Sequence, residues 1–358
     1  MLNISDLSSI QLKALLTSWK EPAFRADQIQ RWTYQRLAGS FEEMTDLPRQ
    51  LRERLAAEVR LSSLSPVEEV RSADGNTIRT LFQLHDNKTI ESVLMLYEKT
   101  PKGQERHTVC VSTQVGCAIG CSFCATGQQG LERNLTCGEI VDQVVHFARK
   151  MRQAGLASDV QTVTNVVFMG MGEPLANYDA TMQAVRLLNS PQSFGLGARH
   201  ITISTVGLVP GIRNLSREDL QVGLAISLHA AEDELRDRLV PVNNRYPVRD
   251  VVSAAREYFD KTRRRPTFEY VLLNGINDSP ARATQLARLL RGMNCNVNLI
   301  PANPTGPGGF RAPSRERIRA FLDVLTSHQV PCTLRQGRGD DINAGCGQLR
   351  SRFLRKSR

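Results

Sequence analysis

From about residue 107 to residue 336, short strand-like runs alternate with segments of helical period, and this alternation restricts the fold more than any other property of the chain. The strand-like runs are HTVCVST, TNVVFMG, RHITIST, VGLAISLH, TFEYVLL, NVNLIPAN and PCTLRQ. Helical patterns such as TCGEIVDQVVHFARKM, ATMQAVRLL, RDVVSAAREYF, ARATQLARLLR and RERIRAFLDVL lie between most of them. Thr136 and Glu139 are spaced as a capping box at the start of the first helix. Repeated βα units predict an α/β fold with a parallel sheet, and this many in series predicts a complete or partial barrel. Cys117–Cys124, Gly170–Pro174, Ser204, Ser227–His229 and Asn303 all fall at or just after strand ends, on the rim where barrels of this kind carry their chemistry.

The remainder reads as appendages. Residues 1–60 form a small helical domain, with Pro22 opening one helix, Asp46 and Pro48 opening another, and Trp19 and Trp32 as anchors of a small bundle. Residues 61–105 change to the period of strands, with Asp74-Gly75 as a hairpin turn and a second turn at Asp86-Asn87; they form an antiparallel β extension leading into the barrel at 106–350. Residues 351–358 are a basic tail. A hydrophobic content of 41% and a charged content of 23% fit a globular chain with a sizeable core. The N-terminus lacks the pattern of a secretory signal, and no apolar run reaches the roughly 18 residues of a membrane span, so the expectation is a cytoplasmic protein with no membrane partner. The net charge of +10 favours a polyanion, of which nucleic acid is the commonest.

In a reducing compartment the eight cysteines are not a disulfide framework. Three of them, Cys117, Cys121 and Cys124, sit in GCAIGCSFCATG. Thiolates suit an iron–sulfur cluster or zinc, but a closed zinc site takes four ligands and only three are local. Three thiolates on a four-iron cube leave one iron open to substrate; a zinc loop completed by a distant cysteine is the competing reading. FMGMGEP, at Phe168–Pro174, offers two glycines for close backbone approach and Glu173 as an acceptor for an ammonium, and it lacks the third glycine of a dinucleotide fingerprint. Cys346 lies between Gly345 and Gly347, where its thiol is accessible, with Arg335, Arg338 and Lys356 as candidate promoters of its thiolate. Cys110 by itself reads as a small hydrophobe, as do Cys137, Cys295 and Cys332. Glu91 in TIESVLMLY shares an alternate face with Val93, Met95 and Tyr97, where a carboxylate is either partnered or functional. Basic patches at Lys261-Arg263-Arg264-Arg265, Arg315-Arg317-Arg319 and the tail are candidate phosphate contacts.

Taken together, CVSTQVGCAIGCSFCATGQQGLERNLT, VVFMGMGEPLANYD, AISLHA, VNLIPANPT and RGDDINAGCGQL closely resemble the RlmN/Cfr family of radical SAM 23S rRNA adenine methyltransferases, and the resemblance extends to PAFRADQIQRWTYQR near the N-terminus. It implies a partial (βα)6 barrel, a 4Fe–4S cluster on Cys117, Cys121 and Cys124, and S-adenosylmethionine held by Gly172, Glu173, Ser204, Ser227, Leu228, His229 and Asn303. It further implies that Cys346 accepts a methyl group from a first S-adenosylmethionine, and that a radical made from a second one removes hydrogen from that methyl. The resulting carbon radical adds to C2 of adenine, Glu91 matches the proposed base, and Cys110 resolves the protein–RNA adduct by forming a disulfide with Cys346. The implied partners are 23S rRNA, tRNA as a second substrate, and an electron donor such as flavodoxin or ferredoxin. GMGEP and RGDDI, with Pro174, Arg338 and Asp340, look more like the C2 group than the C8 group of that family. Asn343-Ala344-Gly345 stands where the family usually has Asp-Ala-Ala, and Thr113 replaces a common serine. A reading of another class, a non-enzymatic RNA-binding protein with a structural metal, stays open at this level.

Overall fold

The computed structural model describes residues 1–97, 105–156, 162–303, 309–335 and 337–349; the predicted basic tail and Lys356 lie outside them. The N-terminal region runs through β1 (Leu2–Asn3), α1 (Ser9–Ser18), α2 (Arg25–Gln30), α3 (Arg49–Glu58) and β2 (Val59–Arg60), with β1 and β2 paired in parallel. It has its own core of Leu12, Leu16, Ile29, Phe41, Met44, Leu51 and Leu55, with Trp19 and Trp32 packed at its margin. Two details depart from the sequence reading. The helix after Pro22 begins only at Arg25 and widens into a π-helical turn over Arg31–Gln35. Asp46 does not cap α3; its Oδ1 accepts from Trp32 Nε1 at 2.6 Å instead.

Next come the antiparallel strands β3 (Ser65–Arg71), β4 (Thr77–Gln83) and β5 (Thr89–Tyr97). They continue one ten-stranded sheet whose other members are β6 (Arg106–Cys110), β9 (Asn165–Phe168), β10 (Ile201–Thr205), β11 (Gly223–Ser227), β12 (Thr267–Leu272), β13 (Asn296–Pro301) and β14 (Cys332–Leu334). Within this sheet every pairing from β6 through β9 to β14 is parallel and the spatial order follows the chain order. Strands that wind in one direction without closing form the partial barrel that the βα alternation predicts. The short hairpin β7 (Gln114–Gly116) with β8 (Leu131–Asn134) brackets the cysteine loop, and no sequence signal announced it.

The crossovers are α4 (Cys137–Gln153), α5 (Tyr178–Asn189), α6 (Val209–Leu215), α7 (Asp233–Leu239), α8 (Val248–Thr262), α9 (Pro280–Leu289) and α10 (Arg315–Ser327). The capping box at Thr136 and Glu139 is formed, and Arg133 grips the same Glu139 carboxylate at 2.7 and 2.8 Å. One core joins both faces of the sheet: Val109, Phe168, Ile203, Ile226, Phe268 and Leu299 from the strands, and Val144, Leu188, Ile212, Val251, Leu286 and Phe321 from the helices. Each fully buried side chain of this size contributes roughly 1.5–3 kcal/mol. Among the described residues no helix is long and apolar enough to cross a membrane.

Candidate functional site

The strand ends of the partial barrel open onto a cavity of about 150 Å³. Cys117, Cys121 and Cys124 line one side of it, and Gly172, Glu173, Ser204, Ser227, His229 and Asn303 line the rest. The cysteine loop takes its shape from its hydrogen bonds. Cys117 N–H donates to the Gly130 carbonyl at 2.8 Å and Cys124 N–H to the Cys121 carbonyl at 3.1 Å. Gly116 has φ +77, and a Cβ there would stand 1.9 Å from the Gly130 oxygen, so only glycine serves at the loop entrance. Burial pushes the Cys117 thiol up to about 12, and it raises Cys121 and Cys124 as well; Cys124 adds to the rise at Cys117, Cys124 and Cys117 add to that at Cys121, and Cys346 adds to that at Cys124. Three thiols that oppose one another's ionisation need a cation among them to become thiolates together. Among the described residues no three His, Cys, Asp or Glu side chains close on a point as a single metal ion needs. All three cysteines belong to the lining of the same cavity.

Opposite them, Gly172 (φ +103) lets the chain pass Gln114 so closely that a Cβ would lie 2.6 Å from the Gln114 Cβ. The next residue, Glu173, is buried. Its Oε1 accepts from Leu175 N–H at 3.0 Å and its Oε2 from Val206 N–H at 2.9 Å, while burial raises its carboxyl to about 7. His229, at φ +62, accepts from Val271 N–H through Nδ1 at 3.1 Å, which leaves Nε2 as the protonated nitrogen. Its ring meets Phe123 edge-on at 4.9 Å, and burial, aided by the Arg236 charge, lowers its pKa to about 3, so it is neutral. Leu228 is not part of the lining: its side chain is in the core, its N–H donates to the Glu269 carbonyl, and its carbonyl accepts from Arg236.

A second cavity, of about 410 Å³, lies beside the first and shares Met169, Ile300, Asn303, Arg335 and Cys346 with it. Cys110 lines the second cavity only, from the end of β6. Burial pushes its thiol up to about 12, with Cys346 adding to the rise and Arg335 opposing it. Cys346 therefore stands in the partition, on a loop tied to the cysteine loop by Ala125 N–H to the Gly347 carbonyl at 2.8 Å and by Thr126 Oγ1 to the Leu349 carbonyl at 2.6 Å. Of its three candidate promoters, Arg335 shares both cavities with it, and the Cys346 charge is the first cause of a raised Arg335 pKa. Arg338 is stacked on Tyr97, 4.1 Å above the ring centre, and donates to the Leu96 carbonyl at 3.1 Å.

Glu91 occupies a different environment. Val93, Met95 and Tyr97 of its strand face the second cavity, but Glu91, 1% exposed, is not in either lining; its carboxylate pairs with buried Arg79 at 3.3 Å. The sequence reading also passed over Glu269, a buried carboxylate in the first cavity. Its Oε1 accepts from Asn298 at 3.0 Å, and its Oε2 has no hydrogen-bond partner among the described residues. An acid between Phe268 and Tyr270 in an otherwise apolar strand is the signal that marked it. Cys137 and Cys295 are buried and Cys332 is half-buried, none of them in a cavity lining.

Comparison with known proteins agrees with this geometry. Residues 2–61 match the family described as ribosomal RNA large subunit methyltransferase N-terminal domain, and residues 111–287 match the radical SAM superfamily. The chain is 51% identical over 354 residues to the probable dual-specificity RNA methyltransferase RlmN of Chloroflexus aurantiacus, covering 97% of this chain and 92% of that one. It is 47% identical to the ribosomal RNA large subunit methyltransferase N of Nitrosopumilus maritimus, covering 98% and 99% of the two chains. A crystal structure of a radical SAM methyltransferase from Sphaerobacter thermophilus superposes with a TM-score of 0.93 at 52% identity, covering 98% of this chain and 99% of that one.

Proposed function

Because the chain belongs to the RlmN family of radical SAM RNA methyltransferases, whose superfamily uses a 4Fe–4S cluster and S-adenosylmethionine, we propose that it methylates C2 of an adenosine in 23S rRNA by way of an S-methylated Cys346. The observation that carries this reading is the position of Cys346 in the partition between a cavity lined by three cysteines and a cavity lined by Cys110. A group that must receive a methyl on one side and deliver it on the other belongs in that place.

Cys117, Cys121 and Cys124 would hold the cluster, with Gly172, Glu173, Ser204, Ser227, His229 and Asn303 around the cofactor. When bound, the pair supplies one-electron cleavage of a sulfonium and hence an alkyl radical able to take hydrogen from a methyl group. The chain's own residues do the rest. Arg335 borders both cavities with Cys346, and the Cys346 sulfur is the group that attacks a sulfonium methyl, because carbon C2 of adenine is too electron-poor to do so itself. Neutral His229 offers Nε2–H as a donor without adding a charge. Cys110, raised by burial, stays a thiol until the carbon–sulfur adduct at Cys346 is to be broken; its sulfur then bonds to the Cys346 sulfur, the electron pair of the carbon–sulfur bond leaves with the carbon, which takes up a proton to become the methyl group, and an external thiol reductant reopens the disulfide. Glu91 is paired with Arg79 and lines neither cavity, so it serves as the C2 base only if it exchanges Arg79 for the substrate side. The names of the Chloroflexus and Anaeromyxobacter relatives include dual specificity, which supports a second RNA class, and we assign it to tRNA.

The test is anaerobic reconstitution followed by incubation with S-adenosylmethionine, a one-electron reductant and an rRNA fragment. Digestion and mass spectrometry should give 2-methyladenosine, lost in Cys346→Ala. An 8-methyladenosine product would move the chemistry to C8, and normal methylation by Cys346→Ala would remove the two-thiol route.

A further inference from the structure

Arg236 on α7 is 0% exposed and heads the largest fully buried side chains of the described residues. Among those residues it takes part in no ion pair. Its guanidinium is spent on uncharged oxygens. Nε donates to the Leu228 carbonyl at 3.0 Å, and Nη2 to the Val206 and Ser227 carbonyls at 2.5 and 3.3 Å. Nη1 donates to Asn243 Oδ1 at 2.8 Å and to the Tyr246 carbonyl at 3.4 Å. Asn243 keeps the nearby acids at one remove, since its Nδ2 donates to Asp233 Oδ1 at 3.0 Å and Asp237 Oδ1 at 2.7 Å. A buried cation of this kind is costly unless an anion faces it.

The candidate anion is the cysteine loop. Leu235 and Leu239, the neighbours of Arg236 on α7, form one apolar cluster with Cys121, and Ser122 N–H donates to the Leu239 carbonyl at 3.1 Å. The helix that carries the arginine is thus packed directly on the loop. Burial lowers the Arg236 pKa to about 10, which leaves it cationic at neutral pH, and the Cys121 charge opposes that fall. Three thiolates outweigh the charge of a four-iron, four-sulfide core in its oxidised form, so the loaded loop is anionic and becomes more so on gaining an electron. Reduction potentials of such clusters follow local charge and burial.

We propose that Arg236 is the charge-compensating residue of the cluster site, holding the one-electron reduction potential of the cluster up while its fork ties the ends of β10 and β11 together. The proposal rests on the cofactor reading above and adds to it a residue that touches no substrate. The two roles separate in mutants: Arg236→Lys keeps the charge and loses the fork, whereas Arg236→Gln and Arg236→Met lose both.

The experiment is an anaerobic, mediator-based redox titration of the full reconstituted chain, followed by electron paramagnetic resonance, with iron and sulfide content and thermal melting recorded for each variant. At a fixed potential near the wild-type midpoint, the reduced-to-oxidised ratio should fall on the order of tenfold in Arg236→Gln and Arg236→Met, equivalent to about 59 mV for one electron. Arg236→Lys should melt lower yet stay within threefold of the wild-type ratio. Neutral variants that hold a full cluster at the wild-type ratio would overturn the proposal and leave a carbonyl clamp. If the neutral variants do not fold, Arg236→Lys still decides, because a tenfold fall in that variant would rule out charge as the cause. A wild-type chain that takes up no four-iron cluster would instead refute the cofactor reading, whatever the arginine does.

Discussion

Cys346 and Arg335 show how a single contact sorts three equivalent-looking bases in a sequence. Arg335, Arg338 and Lys356 all lie near Cys346 along the chain; of the two that fall among the described residues, Arg335 borders both cavities with it, while Arg338 is engaged with Tyr97 and the Leu96 carbonyl. A guanidinium beside a sulfur stabilises the thiolate, and thiolate is the form that reacts. Replacing Arg335 with Met should therefore slow alkylation of Cys346 by iodoacetamide at pH 7. Peptide mass spectrometry on the protein without cluster reads this directly, and Arg335→Lys should restore part of the rate. An unchanged rate in Arg335→Met would show that the thiolate owes nothing to this cation.

Helix α4 carries a different kind of residue, one that weakens its own element as pH falls. His146 packs edge-on against Phe82 of β4 and Phe147, with ring centres 4.8 and 5.3 Å away, and its Nε2 is buried without a hydrogen-bond partner among the described residues. Burial lowers its pKa to about 4, with Lys150 and Arg149 adding to the fall and Glu69 opposing it. A histidine whose folded pKa lies below its unfolded value of about 6.5 favours the fold above that pH. The stabilisation drains away as pH falls from about 6.5 towards 4, because the unfolded chain takes the proton first. The amount at stake over that window is about 3 kcal/mol. His146→Phe should hence show a smaller drop in melting temperature between pH 7 and pH 5 than the wild type, measured in paired scans. Equal drops would place the acid lability elsewhere. The cap of the same helix was plain in Thr136 and Glu139, whereas the partnerless nitrogen depends on β4 crossing over it, and β4 lies about 60 residues away in sequence.

At the scale of the whole molecule, Asp142 fastens the N-terminal domain to the barrel. It is buried within α4, and its two oxygens accept from Asn3 Nδ2 at 3.0 Å, Ser5 Oγ at 2.8 Å, Ser63 N–H at 2.8 Å and Ser63 Oγ at 2.9 Å. Asp6 returns the connection by accepting from Gly138 N–H at 2.6 Å, and Arg149 reaches the Leu37 and Ala38 carbonyls. Asp142→Ala leaves four donors facing an empty space, at a cost of about 3 kcal/mol. The expected result is a lower melting temperature together with faster proteolytic cutting between residues 60 and 65. A variant that melts lower but resists cutting there would mean that the domain is held mainly by its other contacts.

The amino-acid order by itself determined the βα alternation, the hairpin at Asp74-Gly75, the capped start of α4 and the three cysteines of the loop, because each depends on residues a few positions apart. It also marked Cys346 and Glu91 as residues to explain, and family likeness supplied roles for them and for Cys110, which by itself reads as a small hydrophobe. What folding alone decided was their company. Cys346 came to the wall between two cavities, Glu91 came to Arg79 across β4 and β5, and Arg236 came to the interior on a helix whose Leu235 and Leu239 pack in one cluster with Cys121. These partners lie far apart in sequence. Charge, burial and distance between such groups come into being only when the strands are laid side by side, so local pattern could name the reactive groups but not their surroundings.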